Sequence, residues 1–190
     1  MSILYWRLFL ARFFRSPLQI GSVIPSSQKL VQAMLSPVPW NQIDTVVELG
    51  AGTGVITQAL KKYHKPGTET FIFENDPVLQ SLLRRRYPEF HFASDAAMMD
   101  TVLSQQNMNG SDVILSSLPF SNFSIDSRVR ILDQICDTLK TDGIFIAYQY
   151  SQHIKPLLQE RFQEVEIRWV PWNIPPAFVY ICRKPIPEGT

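Results

Sequence analysis

The sequence has little cysteine, little excess charge and no long hydrophobic run. Its two cysteines, Cys136 and Cys182, lie among apolar residues, which indicates reduced thiols in a cytoplasmic protein. The formal net charge is +1, so composition does not predict a strongly basic surface for nucleic acid. No apolar run reaches the roughly 20 residues that a membrane-spanning helix needs. With 45% hydrophobic residues in a chain of 190, a folded protein with a sizeable core is expected.

Acidic residues are absent from the first 43 positions, which contain Arg7, Arg12, Arg15 and Lys29. On a helical wheel, aromatic and aliphatic side chains near the N-terminus form one arc, and the arginines gather opposite. This pattern suits a helix lying on an anionic membrane surface. A helix packed on the domain, with its arginines in water, is the alternative. Arginines within the apolar stretch and the lack of a small-residue cleavage site argue against a signal peptide.

From residue 44 onward, strand-like and helix-like stretches alternate, which predicts a mostly parallel sheet of seven strands covered by helices on both faces. The chain is expected to divide into an N-terminal helical extension, 1–43, with helices near 2–14 and 26–35, and an α/β domain, 44–190. The expected strands are 44–49, 70–74, 89–93, 112–116 and 143–150, followed by an antiparallel pair at 163–171 and 177–183. The expected helices are 54–63, 77–86, 96–104, 124–140 and 152–161, with Gly143 as a helix stop.

Residues 46–54 read Val-Val-Glu-Leu-Gly-Ala-Gly-Thr-Gly and are the most informative stretch. An apolar strand ends in Glu48, and three alternating glycines lead into a helix. Glycine permits positive φ and lets a ligand approach the backbone, while the helix start presents free N–H groups. Because Val55 stands where dinucleotide-binding proteins need a third glycine, their motif does not fit. The stretch resembles the first motif of class I S-adenosylmethionine (SAM) methyltransferases, and a turn without a ligand is the alternative.

In open α/β sheets the ligand lies beyond the carboxyl ends of the strands. The first strand end is expected to meet the methionine part of SAM. Glu74 ends the second strand and can accept both ribose hydroxyls, unless it is only a solvated strand end. Asp95 ends the third strand and is placed to accept from the adenine amino group, or simply to cap the next helix. The predicted cofactor site comprises Glu48, Gly50, Ala51, Gly52, Glu74, Asn75, Asp95, Ala96 and Ser116.

The fourth strand ends in Ser116-Ser117-Leu118-Pro119-Phe120, the position where methyltransferases place the acceptor. Proline stiffens the turn, and carbonyls held there can accept a hydrogen bond from an amino group. Relatives that modify amines often carry Asn-Leu-Pro-Tyr or a similar string here, so serine replaces asparagine and phenylalanine replaces tyrosine. A loop without special purpose is the alternative. Ser116 and Pro119 are predicted to belong to the acceptor site.

An amine acceptor poses a protonation problem. With a lysine-like pKa of roughly 10.4, a primary amine is almost wholly protonated at pH 7, so the site must favour its neutral form. Tyr148 and Tyr150 share one face of the fifth strand and are predicted to hold the acceptor without a dedicated base, although core packing of both is the alternative. His153, just beyond, is expected at a helix start on the surface.

Four segments resemble the bacterial phospholipid N-methyltransferases of the soluble, membrane-surface type, which are related to the ribosomal RNA adenine dimethyltransferases. They are Gly21–Ser27, the glycine motif, Ser116–Pro119 and Val170–Ala177. The resemblance implies methyl transfer from SAM to the amine of phosphatidylethanolamine or its methylated derivatives, with the N-terminal helix on anionic lipid at the inner face of the plasma membrane. A small-molecule or RNA adenine methyltransferase and a SAM-binding interaction protein are the other readings. No metal is expected, nucleic acid is disfavoured, and the oligomeric state stays open.

Overall fold

One seven-stranded sheet organises residues 27–186, which are the residues that the computed structural model describes. The strands are β1 (Thr45–Leu49), β2 (Glu69–Phe73), β3 (His91–Ala93), β4 (Ser111–Ser116), β5 (Leu139–Gln149), β6 (Phe162–Val170) and β7 (Ala177–Pro185). The α-helices are α1 (Ser27–Leu35), α2 (Val55–Leu60), α3 (Pro77–Arg86), α4 (Met99–Ser104), α5 (Ile125–Thr138) and α6 (Lys155–Gln159). Short 3-10 turns lie at Trp40–Gln42, Ala96–Met98 and Phe120–Asn122.

The strand order is β3-β2-β1-β4-β5-β7-β6. Strands β1 to β5 are parallel, and β7 runs antiparallel between β5 and β6. The prediction of a Rossmann-like, mostly parallel sheet with a terminal antiparallel pair is therefore confirmed. Because the parallel strands share one direction, their carboxyl ends meet at a single edge, which we call the carboxyl edge.

The central strands of the sheet are buried on both faces because helices cover each side. Successive residues of β1 point to opposite sides, so Val46 joins one apolar cluster and Val47 the other. The first cluster receives side chains from α1, α2 and α3, and the second receives them from α4, α5 and α6. Every residue of β1 is buried, as expected for a central strand of a parallel sheet.

Helix α3 starts where the sequence predicts, because its first turn is capped. The side chain of Asp76 accepts hydrogen bonds from the backbone N–H groups of Val78 and Leu79, at 2.9 and 3.0 Å, and Pro77 occupies the first helical position. These contacts satisfy donors that a helix start otherwise leaves unpaired. The cap fixes the direction in which the chain leaves β2, and so fixes Glu74 just before it.

The expected helix stop at Gly143 is wrong. Helix α5 ends at Thr138, and the chain enters β5 at Leu139, which is extended and pairs with Ser111. The register then shifts, so that Val113 pairs with Ile144. Gly143 lies inside this irregular part of β5, where a Cβ atom would stand 2.7 Å from the Leu139 Cγ. The glycine is therefore needed for a close approach within the strand and not for ending a helix.

The described part of the predicted extension packs on the domain. In α1, Leu30, Met34 and Leu35 are buried in the same apolar cluster as β1 and β5. The helix predicted at 2–14 and the Gly21–Ser27 string, apart from Ser27, lie outside the described residues, and the division at residue 43 stays a prediction. Within 27–186, no helix combines the length and apolarity needed to cross a bilayer.

Candidate active site

The carboxyl edge brings the predicted site residues to one side of the sheet. Strand β1 ends beside β2 and β4, with Leu49 paired to Phe73 and to Ser116. The glycine loop, Gly50–Gly54, therefore emerges between the end of β2 and the end of β4. Asp95 and Ala96 follow β3, two strands away from β1 on the same edge. The residues predicted to bind the cofactor and the loop predicted to hold the acceptor thus lie next to each other at the end of the central strand.

The three glycines of the loop have different surroundings. All three have positive φ, a conformation that favours glycine. At Gly54, an added Cβ would overlap the Leu83 side chain of α3, so this glycine is needed for packing. At Gly52, no heavy atom of the described residues lies within 4 Å of the position a Cβ would take. Gly52 therefore leaves open space over the loop, where a ligand can approach the backbone.

Glu74 holds the glycine loop in place. Its Oε2 accepts a hydrogen bond from the Gly52 N–H at 2.6 Å, and its Oε1 accepts one from the Asp76 N–H at 2.9 Å. The side chain is largely buried, so these bonds satisfy a carboxylate that would be costly to bury alone. Each oxygen retains a second lone pair, and the predicted ribose contact stays a prediction. The alternative of a freely solvated strand end is excluded by the burial of this residue.

Glu48 is a buried carboxyl group at the end of β1. Its Oε2 accepts a hydrogen bond from the Thr57 hydroxyl at 2.7 Å, while its buried Oε1 has no hydrogen-bond partner among the described residues. Burial raises the pKa of Glu48 to about 8, the hydrogen bonds to Thr57 oppose that rise, and the nearby Glu74 adds to it. A cationic group beside the unpaired oxygen would therefore relieve an unfavourable burial.

Asp95, Ala96 and Asn75 have weaker support from their surroundings. Asp95 accepts a hydrogen bond from the Ala97 N–H at 2.9 Å and caps the 3-10 turn that begins at Ala96. Asn75 is exposed between β2 and α3. The capping alternative for Asp95 is thus present in the structure, and its contact with adenine stays a prediction, as do the roles of Ala96 and Asn75.

The Ser116–Phe120 loop is held rigidly by hydrogen bonds from several directions. The Ser117 N–H donates to the Leu49 carbonyl at 2.9 Å, and the Leu118 N–H donates to the Ser116 hydroxyl at 3.2 Å. The side-chain amide of Gln149 donates to the Leu118 carbonyl at 2.8 Å. Ser116 is buried and supports the turn, so the loop is shaped by its own contacts as well as by Pro119.

Phe120 points into the protein interior. It is fully buried and packs edge-to-face with Phe123, with ring centroids 5.9 Å apart. Its carbonyl accepts a hydrogen bond from Arg128 Nε at 2.7 Å, which ties the end of the loop to α5. The phenylalanine that stands in place of a tyrosine is therefore a core residue.

Tyr148 and Tyr150 lie at and just beyond the end of β5 with their rings edge-to-face, 5.7 Å between centroids. Both pack partly against the apolar cluster under α1, so the core-packing alternative holds in part. Burial raises the pKa of both phenols, although Tyr148 also hydrogen-bonds to Ser117 and Tyr150 to Asn173. Both phenols are therefore neutral at physiological pH, where they can donate or accept a hydrogen bond but cannot serve as phenolate bases.

Sequence reasoning missed Gln149 and Thr57. Gln149 is buried, and its amide also donates to the Tyr148 carbonyl at 2.7 Å, so it connects β5 to the Ser116–Phe120 loop. The available signal was a polar residue between two tyrosines in an otherwise apolar strand. Thr57 is fully buried in the first turn of α2. No pattern in the sequence distinguishes it from a threonine that only packs in the core.

The known proteins that this chain resembles in sequence are methyltransferases. Residues 23–169 match the sequence profile of the methyltransferase small domain. The chain is 31% identical to the ornithine lipid N-methyltransferase of Singulisphaera acidiphila over 181 residues, which cover 93% of this chain and 94% of that protein. It is 26% identical to the ribosomal RNA small subunit methyltransferase A of a Hydrogenobaculum species over 104 residues, or 55% of this chain and 39% of that protein.

Among solved structures, the fold is similar to that of the Burkholderia thailandensis 1,6-didemethyltoxoflavin-N1-methyltransferase with bound 1,6-didemethyltoxoflavin and S-adenosylhomocysteine. The TM-score is 0.70, with 16% sequence identity, and the match covers 94% of this chain and 87% of that chain.

Proposed function

The chain belongs to the methyltransferase small domain family and is a SAM-dependent methyltransferase, and from that premise we propose that it N-methylates a lipid amine at a membrane surface. The observation that carries the acceptor proposal is the 31% identity with an ornithine lipid N-methyltransferase over 93% of the chain. Phosphatidylethanolamine, its methylated derivatives and an ornithine lipid all present an amine on a lipid headgroup. They are the candidate acceptors.

The residues of the carboxyl edge fit SAM. The space over Gly52 admits a ligand to the loop backbone, and the unpaired Oε1 of Glu48 suits a cationic group. Glu74 retains lone pairs for hydroxyl groups while it holds the loop. When bound, SAM would supply a methyl carbon on a sulfonium sulfur, and the bond from that carbon to sulfur would break as the bond to the amine nitrogen forms in line.

The acceptor side of the site contributes position more than proton transfer. The hydrogen bonds of Gln149 and Arg128 immobilise the Ser116–Phe120 loop, which adjoins Tyr148 through Ser117. Tyr148 and Tyr150 remain protonated because burial raises their pKa. A neutral, partly apolar surrounding favours the uncharged amine over the ammonium ion, so the nitrogen lone pair becomes available before it reacts.

The decisive experiment supplies SAM with a methyl label to the full chain together with separate acceptors. The acceptors are vesicles containing phosphatidylethanolamine, vesicles containing an ornithine lipid, adenine-containing RNA and free ethanolamine. Mass spectrometry then follows the label. We expect labelled lipid from at least one vesicle preparation, and the Glu74→Ala variant serves as the low-activity control.

A second candidate is adenine methylation in RNA, which is favoured by the identity with a ribosomal RNA methyltransferase over 104 residues. The burial of Phe120 disfavours it, because the loop then lacks an exposed aromatic ring on which a base could stack. Label on RNA or ethanolamine and none on either vesicle preparation would reject the lipid acceptor and leave the methyltransferase activity standing.

A further inference from the structure

The turn that joins β6 to β7 lies at the same edge of the sheet as the active site. Strand β7 runs antiparallel to β5, so its first residues stand beside the end of β5, and Phe178 pairs with Gln149. Strand β6 ends opposite the start of β7, where Val170 pairs with Ala177. Residues 171–176 therefore extend from the carboxyl edge, next to the strand that carries Tyr148.

This turn points two apolar side chains outward around a buried polar one. Trp172 is 71% exposed and Ile174 is 61% exposed, whereas Asn173 between them is 4% exposed. Asn173 Nδ2 donates a hydrogen bond to the Pro175 carbonyl at 2.7 Å, and the Asn173 side chain also bonds the Tyr150 phenol. The outward direction of Trp172 and Ile174 is thus fixed by the inward bonds of Asn173. Two large apolar side chains held in water by a rigid turn call for a partner.

A basic residue accompanies them. Lys29 of α1 places its ammonium group 5.1 Å from the centre of the Trp172 ring, a cation–π contact. We call Trp172, Ile174 and Lys29 the turn surface. Lys29 lies two residues after Ser27, where the N-terminal segment enters the described fold. That segment contains Arg7, Arg12 and Arg15 and no acidic residue, so its charge is positive.

Other exposed apolar side chains occupy the same edge. Val78 is 62% exposed in the first turn of α3, and Ile125 is 69% exposed at the start of α5. Each follows the carboxyl end of a parallel strand, β2 or β4. Single exposed apolar residues are ordinary on a protein surface, but these come from three separate segments around one site. Acidic residues such as Asp76 also lie at this edge, where Asp76 caps a helix. Binding of an anionic surface at this edge would therefore need apolar contacts as well as positive charge.

We propose that the turn surface docks into the headgroup region of a lipid bilayer and holds the active site over it. The occupant follows from the combination of an indole, an aliphatic side chain and an ammonium group, since tryptophan favours the membrane interface and lysine pairs with lipid phosphate. The position at the rim of the site rests in part on the proposed function, because a headgroup acceptor must enter from the bilayer side. The contribution of Trp172 and Ile174 is apolar, so it is insensitive to salt, unlike that of the N-terminal arginines.

The test measures the partitioning of the full chain into vesicles of phosphatidylcholine and phosphatidylglycerol in equal parts, by flotation. The variant is Trp172→Ser combined with Ile174→Ser. The matched control is Tyr63→Ser, which removes a partly exposed aromatic ring, stacked on Trp40, after α2, where the chain has returned to the opposite edge of the sheet. We expect the double variant to partition at least about tenfold more weakly at both low and high salt, and the control to behave as the parent protein. Unchanged partitioning of the double variant would overturn the proposal.

Three further measurements keep the result interpretable. Thermal unfolding and SAM affinity of the double variant should equal those of the parent protein, and a large loss of thermal stability would show that the two side chains stabilise the fold and would overturn the proposal. Sedimentation velocity without lipid should show the same assembly state, and a dimer lost in the variant would assign the surface to a second copy. If vesicle binding depends on the turn but no lipid is methylated, the acceptor proposal fails and the docking surface stands.

Discussion

Glu74 accepts a hydrogen bond from the backbone N–H of Gly52 across 2.6 Å, which ties the end of β2 to the glycine loop of β1. The loop is therefore ordered by a side chain from the neighbouring strand as well as by its own glycines. The same carboxylate is predicted to bind the ribose, so one group would both hold the glycine loop and contact the cofactor.

Replacing Glu74 by alanine is expected to weaken SAM binding by roughly 10- to 100-fold, because a charge-assisted hydrogen bond is lost and the loop is loosened. Titration calorimetry measures the change. The two contributions separate with a SAM product analogue that lacks the ribose 2′-hydroxyl. Its affinity should fall in the parent protein and stay unchanged relative to the full product in Glu74→Ala. If the missing hydroxyl weakens binding equally in both proteins, Glu74 holds the glycine loop and does not contact the ribose.

The raised pKa of Glu48 predicts that SAM binding depends on pH. Below its pKa of about 8 the ligand-free carboxyl group is mostly protonated, and a bound cation favours the charged form. Binding then releases a proton, so affinity should rise with pH up to that value, by at most about tenfold per pH unit. In Glu48→Gln this part of the slope should vanish, while titration of the cofactor's own amino group persists in both proteins. Calorimetry in buffers of different ionisation enthalpy counts the protons, and equal counts in both proteins would contradict the prediction.

The contacts of the Ser116–Phe120 loop predict effects on turnover more than on cofactor affinity. Gln149→Leu removes the hydrogen bond to the Leu118 carbonyl, and Tyr148→Phe removes the hydroxyl group next to Ser117 but keeps the ring. Each should lower kcat by about 10-fold or more and leave the SAM dissociation constant nearly unchanged, because both groups position the acceptor. Pro119→Ala should act in the same direction. A loss of SAM affinity as large as the loss of kcat would show that these groups contribute to cofactor binding and do not only position the acceptor.

The glycines of the loop should respond differently to alanine. In Gly54→Ala the new Cβ meets Leu83, and positive φ adds strain, so the free energy of unfolding should fall by about 2–4 kcal/mol. In Gly52→Ala only the strain applies, about 1–2 kcal/mol, but the Cβ enters the space over the loop. Urea unfolding and SAM titration together should show Gly54→Ala as the stability variant and Gly52→Ala as the binding variant. The reverse pattern would refute the assignment of the open space to the cofactor.

Deleting residues 1–15 is expected to leave SAM binding nearly intact and to reduce association with anionic vesicles. Each arginine near an anionic surface contributes about 1 kcal/mol, and this contribution weakens as salt increases. Flotation at two salt concentrations measures the change. Loss of folding in the deletion variant, with vesicle binding that never depended on salt, would show that the segment is structural.

The sequence predicted the fold well because its strongest signals are local. The glycine loop, the Asp76–Pro77 helix start and the apolar strands each follow from a few adjacent residues, and the parallel order follows from their alternation. The prediction of a helix stop at Gly143 failed because the glycine permits a close approach within β5 and does not end a helix. Its Cβ would meet Leu139 within an irregular strand, and no local pattern distinguishes that need from a helix end.

Sequence reasoning placed the candidate residues at one edge of the sheet but did not predict their side-chain contacts. Glu48, Gly52, Glu74 and Ser116 lie at one edge because strand ends in a parallel sheet must meet. Side-chain directions set by packing decide that Glu74 bonds to the Gly52 backbone and that Gln149 bonds to the Ser116–Phe120 loop. The direction of Phe120 was hidden for the same reason, since a phenylalanine in a loop suits either the core or the site.

The position of β7 between β5 and β6 also governs the order of assembly. Strands β1 to β5 can pair as they leave the ribosome, but β6 cannot join them until β7, the last strand in the chain order, is made. Until then β5 has an unpaired edge, and Gln149 lacks its partner Phe178, which keeps it aligned with the Ser116–Phe120 loop. Nascent chains that stop before residue 177 should therefore resist proteolysis in β1 to β4 and remain sensitive in β5 and the Ser116–Phe120 loop. The part of the carboxyl edge that is proposed to hold the methyl acceptor is then the last to form.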